Sequence, residues 1–111
     1  MGAAALGELE QLVLLAVLQV EGDAYAASVR AEIARRTARD VARGAVHVTL
    51  DRLEQKGFLR SATGAASAER GGRARRVFSV TAAGTRALRE SLGALQEMAR
   101  GLSGRLGWSP S

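Results

Sequence analysis

Apolar residues recur along this chain first with the period of a helix, then of a strand, then of a helix again. From Leu9, the positions Leu12, Val13, Ala16, Val17 and Val20 follow at i+3, i+4, i+7, i+8 and i+11. That is the stripe of an amphipathic helix, and it predicts one that ends near Gly22. Glu8 and Glu10 stand at its start, where the helix dipole favours acids. Leu14, Leu15 and Leu18 lie off the stripe, so the helix needs cover on more than one face, from a second chain as well as its own core. A second helix is predicted from an N-cap at Asp23 to about Arg36, with Tyr25, Val29 and Ile33 on one face. A link over Thr37–Arg43 leads to Gly44 and a third helix, Ala45–Lys56. Val46, Leu50 and Leu53 are its core positions. Gly57 suits the residue just past its end, with Phe58 and Leu59 returning to the core.

The period then changes. Leu59–Thr63 and Arg75–Val80 are short strand candidates on either side of the polar, Gly- and Arg-containing stretch Gly64–Ala74, which together make a hairpin. Thr81 is placed to cap a last helix. In it Leu88, Leu92, Leu95, Ala99, Leu102 and Leu106 are spaced as a heptad seam. Gly93, Gly101 and Gly104 each weaken that helix by about 1 kcal/mol relative to Ala, so it needs a partner. Gly107–Ser111 is expected to be a frayed tail carrying Trp108.

Composition narrows the possibilities. The chain has 111 residues, the size of one domain, and is 47% apolar but only 4% aromatic. A core of Leu, Val and Ala is thin, which again favours burial through oligomerisation. Without cysteine there is no disulfide, thiolate catalysis or cysteine zinc site. His47 is the single histidine, so no histidine metal site is expected, and no cofactor. The apolar run Leu12–Leu18 is far short of the roughly 20 residues that cross a bilayer. Glu8 and Glu10 before it argue against a signal peptide, so the expected location is the cytoplasm. No carboxylate pair, nucleophile–base set or phosphate-binding glycine loop suggests an enzyme.

Charge is unevenly placed. Residues 1–29 carry four acids and no bases, residues 30–76 twelve bases and five acids. A basic centre beside an acidic start suits a face for a polyanion and a separate face for packing.

Three helices followed by a two-stranded basic hairpin is the order of a winged helix-turn-helix. The expected fold is therefore mainly α (α+β): a winged unit over residues 6–81 with a two-stranded wing, then a C-terminal dimerisation helix over residues 82–106. In such a unit the third helix enters the major groove while the wing reaches nearby phosphates or the minor groove. Candidate DNA contacts are Tyr25 on the second helix, Ala45, His47, Thr49, Arg52 and Lys56 on the third, and Arg73, Arg75 and Arg76 in the wing. The dimer candidates are Leu9 and Leu12 on the first helix and Leu88, Leu92, Leu95 and Leu102 on the last.

The ordered set of motifs resembles the PadR-type transcriptional regulators over about residues 6–90. The matching stretches are Leu6-Gly7-Glu8-Leu9-Glu10, then Gly44 with Thr49-Leu50-Asp51-Arg52-Leu53-Glu54-Gln55-Lys56-Gly57-Phe58-Leu59. Gly71-Gly72-Arg73-Ala74-Arg75-Arg76-Val77-Phe78 and Val80-Thr81-Ala82-Ala83-Gly84 complete the set. The chain departs from that pattern at His47, where the family has Tyr, and at Asp23-Ala24-Tyr25, where it has His-Gly-Tyr. The resemblance implies a homodimer with first and last helices exchanged, acting on double-stranded DNA as a repressor that a small aromatic or apolar effector releases. Two other readings stay open at this level: a winged-helix protein–protein module, and a ligand-sensing dimer whose DNA role is secondary.

Overall fold

The computed structural model describes residues 6–64 and 75–108. In chain order these form α1 (Glu8–Gln19), α2 (Ala26–Thr37), α3 (Arg43–Gln55), β1 (Leu59–Gly64), β2 (Arg75–Val80), α4 (Ala82–Ala99) and α5 (Ser103–Leu106). This is a winged helix: mostly helical, with one two-stranded antiparallel sheet.

Local chemistry sets each start and stop. At α1 the Gly7 N–H donates to Glu10 Oε1 at 2.8 Å, half of a capping box. The start of α2 differs from expectation. Tyr25 is its N-cap, not Asp23. Ser28, three residues on, accepts from the Tyr25 N–H at 3.0 Å and donates to the Asp23 carbonyl at 2.7 Å. A serine inside the first turn therefore holds the entry that an aspartate ahead of it was expected to hold.

The end of α3 is a Schellman turn. Phe58 N–H donates to Leu53 O and Gly57 N–H to Glu54 O, with Gly57 at φ +83. That turn is also where α4 docks. Thr81 Oγ1 donates to Gly57 O at 2.6 Å and accepts from Gly84 N–H at 3.1 Å, while Thr81 N–H donates to Phe58 O. The expected threonine cap thus does a second job, fastening α4 to the strand entry.

The sheet pairs Leu59 with Val80, Ser61 with Phe78 and Gly64 with Arg75. Phe78 N–H also donates to Ala24 O at 2.7 Å, tying the wing to the α1–α2 loop. The core is aliphatic apart from one ring: Val13, Leu14 and Val17 from α1, Val29 and Ile33 from α2, Val46, Leu50 and Leu53 from α3. Leu59, Phe78 and Leu88 close it. Each such burial contributes about 1.5–3 kcal/mol. Leu18, by contrast, stays exposed on α1.

The last helix is not continuous. A single helix over residues 82–106 was expected from the heptad spacing, but α4 ends at Ala99 and Gly101 turns the chain with φ +86. Side-chain spacing carries no information about a backbone reversal at a glycine. α5 follows as one short turn, and the Trp108 N–H donates to Ser103 O at 3.0 Å, so Trp108 is folded back on α5 rather than loose.

Candidate nucleic-acid interface

α3 presents two faces. Val46, Thr49, Leu50 and Leu53 are buried, at the i, i+3, i+4, i+7 spacing of one stripe. Thr49 was expected to meet base edges; at 4% exposure its side chain lies in the core, because its place in that stripe outweighs its polarity. Gly44, His47, Val48, Asp51, Arg52 and Gln55 are exposed, and Ala45 is half-buried.

Beside the start of α3 lies a cleft of about 530 Å³ between α2, α3 and β2, lined by Tyr25, Ala26, Ala27, Arg30, Arg43, Val46, His47, Arg75, Arg76 and Phe78. Its wall holds four arginines and no acid. At the start of α2 the Tyr25 side chain makes no capping hydrogen bond, and Ser28 takes the Tyr25 N–H rather than the amides after it. Those amides are therefore open to water or an anion, and the helix dipole favours the anion.

The four arginines are not equivalent. Arg30 donates to Val41 O at 2.6 Å and to Asp40 at 3.0 Å, fixing the α2–α3 link. Arg76 donates to Asp51 at 2.9 Å and Glu54 at 2.5 Å, and its guanidinium lies 4.9 Å from the Phe78 ring centre. The hydrogen bond to Asp51, with that to Glu54, pushes the Arg76 guanidinium even above its usual range. Its charge is spent on bracing the wing against α3, which the sequence expectation of a phosphate contact did not include. Arg75 instead stacks over Tyr25 at 4.1 Å. Among the described residues, Arg43 and Arg75 have no carboxylate within salt-bridge distance. Arg73 lies outside the described residues.

Lys56 also differs from expectation. Its Nζ is 2.7 Å from Glu10 Oε2, joining the end of α3 to the start of α1. Burial pushes the Glu10 carboxyl up, but hydrogen bonds from Lys56 and the Gly7 N–H, with the charges of Lys56 and Arg52, outweigh it and leave the pKa lowered. Arg52 remains exposed on the outer face.

The DNA candidates that converge are thus Tyr25, His47, Arg75 and Arg76, the last held by Asp51 and Glu54, with Arg43 and Arg30 added. Arg43 was missed because it was placed in the link, although its position just before Gly44 is the first turn of α3. Among the dimer candidates, Leu88 is buried within this chain's own core. Leu9, Leu12 and Leu92 are half-buried against it. Leu95 and Leu102 are exposed, as are Met98 and Leu106.

The profile of the transcriptional regulator PadR-like family matches residues 14–90. The chain belongs to that family. Its members are DNA-binding transcriptional regulators, not enzymes. Solved structures agree on the fold. A PadR family regulator from Eggerthella lenta superposes with TM-score 0.68 at 25% identity, covering 89% of this chain and 86% of that one. A PadR-like regulator from Bacillus cereus gives TM-score 0.70 at 18% identity, covering 91% and 93%. F93 from STIV, a winged-helix DNA-binding protein, gives 0.66 at 18% identity, covering 86% and 97%. No curated protein matches the chain. Among the described residues, no helix of this PadR-like protein is long and apolar enough to cross a membrane.

Proposed function

We propose that this PadR-like protein is a cytoplasmic homodimer that binds operator DNA in a sequence-selective way and represses transcription until a small apolar or aromatic effector releases it. One observation carries the DNA half: Arg43, Arg75 and the start of α2 at Ala26 and Ala27 face the cleft that opens beside the exposed side of α3. With α3 in the major groove, these groups fit an adjacent backbone phosphate, which supplies sequence-independent affinity. His47, Arg52 and Ala45 stand nearer the bases, and Tyr25 supports Arg75 from below. Residues 6–81 bind DNA in this reading, and residues 82–106 pair the two subunits. An operator-bound dimer acts by occupying the site, hence repression. For the effector, the support is a groove of about 470 Å³ between α4 and Trp108, where Ala99 and the indole provide apolar surface among Gln96, Glu97 and Arg100.

The test is a gel-shift titration on the gene's own promoter at several salt concentrations. Arg75→Ala is expected to weaken binding and to lower the salt slope by about one. Arg76→Ala, whose charge is already met by Asp51 and Glu54, is expected to change the slope much less. Equal slope losses would refute the assignment of Arg75, and binding no better than to scrambled duplex would refute operator recognition.

A further inference from the structure

The outward line of α3 carries a feature that neither folding nor charge accounts for. Opposite the buried stripe of Val46, Thr49, Leu50 and Leu53 run Gly44, Val48, Asp51, Arg52 and Gln55, at i, i+4, i+7, i+8 and i+11. Val48 is 54% exposed, the one large apolar side chain so placed on α3 among the described residues. The exposed hydrophobics elsewhere fall on α1 and on the α4–α5 end.

Val48 does not help the helix, since β-branched residues are weaker helix formers than Ala. One turn earlier, Gly44 costs more still, and nothing in the chain requires it. A Cβ built there meets no atom within 4 Å, and its φ is ordinary. A residue that is neither strained nor crowded in its own chain, yet lacks a side chain on the outermost face, is explained by close approach of something outside the chain. The pair therefore presents bare backbone followed by two methyl groups.

On the reading that α3 enters the major groove, the apolar feature available there is the C5-methyl group of thymine. Neighbouring Asp51 does not disturb such a contact, because Arg76 holds its carboxylate toward the wing at 2.9 Å. We infer that Val48 is a specificity-determining residue that packs on a thymine methyl, with Gly44 allowing α3 to approach closely enough. This rests on the proposed DNA reading and goes beyond it by naming the base feature read.

The experiment starts from an operator selected out of random duplex DNA by the intact protein. Each thymine is then replaced in turn by deoxyuridine, which removes only the methyl group. With the wild-type protein, one replacement per half-site is expected to raise Kd about three- to fivefold, the effect of burying one methyl. Val48→Ala is expected to bind the unmodified operator more weakly by a similar factor and to be indifferent to that same replacement. Its thermal unfolding should match or slightly exceed wild type, since Val48 is outside the core and Ala is the better helix former. Gly44→Ala is expected to melt higher, from better helix propensity, yet to bind the operator less tightly. A wild type indifferent to every replacement, or Val48→Ala retaining the sensitivity, overturns the inference while leaving operator binding intact. Failure to select any sequence overturns the DNA reading itself.

Discussion

Gly84 has no room for a side chain. A Cβ there would lie 2.2 Å from the Phe58 carbonyl oxygen and 2.9 Å from Val80 Cγ1. The first of these is backbone inside the turn that ends α3, so relief requires α4 to lift away from β1. Gly84→Ala is therefore expected to destabilise the protein by about 1–3 kcal/mol in urea unfolding, the usual cost of overpacking. Unchanged stability would mean that the start of α4 is not clamped on Phe58. The same substitution at Gly44 gains helix propensity instead, because its surroundings are open. Nothing in the sequence tells Gly44 and Gly84 apart in this respect. The sequence does show Thr81-Ala82-Ala83-Gly84 as a unit, and the structure supplies the cause: Thr81 caps the helix and Gly84 lets it sit flat. Thr49 is the converse case. Its spacing from Val46, Leu50 and Leu53 placed it in the core, but its hydroxyl suggested otherwise.

Between elements, the coupling most exposed to solution conditions joins α1 to α3. Glu10 is 7% exposed and holds both the Gly7 amide and Lys56. Its pKa in the folded chain lies below the ordinary value of 4.5. A lowered carboxylate pKa adds stability that is fully present above the ordinary value and is lost as pH falls through the folded one. Glu10→Gln is thus expected to cost about 1–2 kcal/mol at neutral pH, from loss of a charge-assisted hydrogen bond. The gap to wild type should close as pH drops below 4.5. Urea unfolding of both proteins across that range checks this, and a gap that persists in acid would mean the loss is one of packing. Some acid sensitivity should survive in the variant. Hydrogen bonds from Arg35 and Arg36 hold the Glu32 pKa down as well. Pairs of this kind lay beyond sequence reasoning. Lys56 and Glu10 are 46 positions apart, and Arg76 and Asp51 are 25 apart. The hydrophobic period, in contrast, was enough to place α1, α3 and both strands. It failed at Gly101, where a backbone turn interrupts a heptad that the side chains continue.

At the scale of the molecule, α4 is longer than its own core requires. Of its 18 residues only Gly84, Ala87 and Leu88 are buried, all in the first two turns. The remainder carries Leu95 at 60% exposure and Met98 at 79%, and Leu102 and Leu106 are exposed just beyond it. A second unfilled apolar surface is a groove of about 220 Å³ between α1 and α2, lined by Leu12, Leu15, Ala16 and Ile33 with Gln19, Glu32, Arg36 and Thr37 around them. A helix with surplus leucines and a groove with surplus room on one chain are what an isologous pair needs, each subunit offering both halves. If the chain is the homodimer proposed above, Leu95→Glu combined with Met98→Glu should convert it from dimer to 11.6 kDa monomer in sedimentation equilibrium. Helical content should be retained, because neither side chain touches the core. Operator affinity should fall by orders of magnitude rather than by a factor of two, since a monomer contacts one half-site and loses the effective concentration of its partner. A variant that remains dimeric would place the pairing surface elsewhere on the chain. A variant that is monomeric yet binds as tightly as wild type would mean that α4 holds the subunits together without aligning them on DNA.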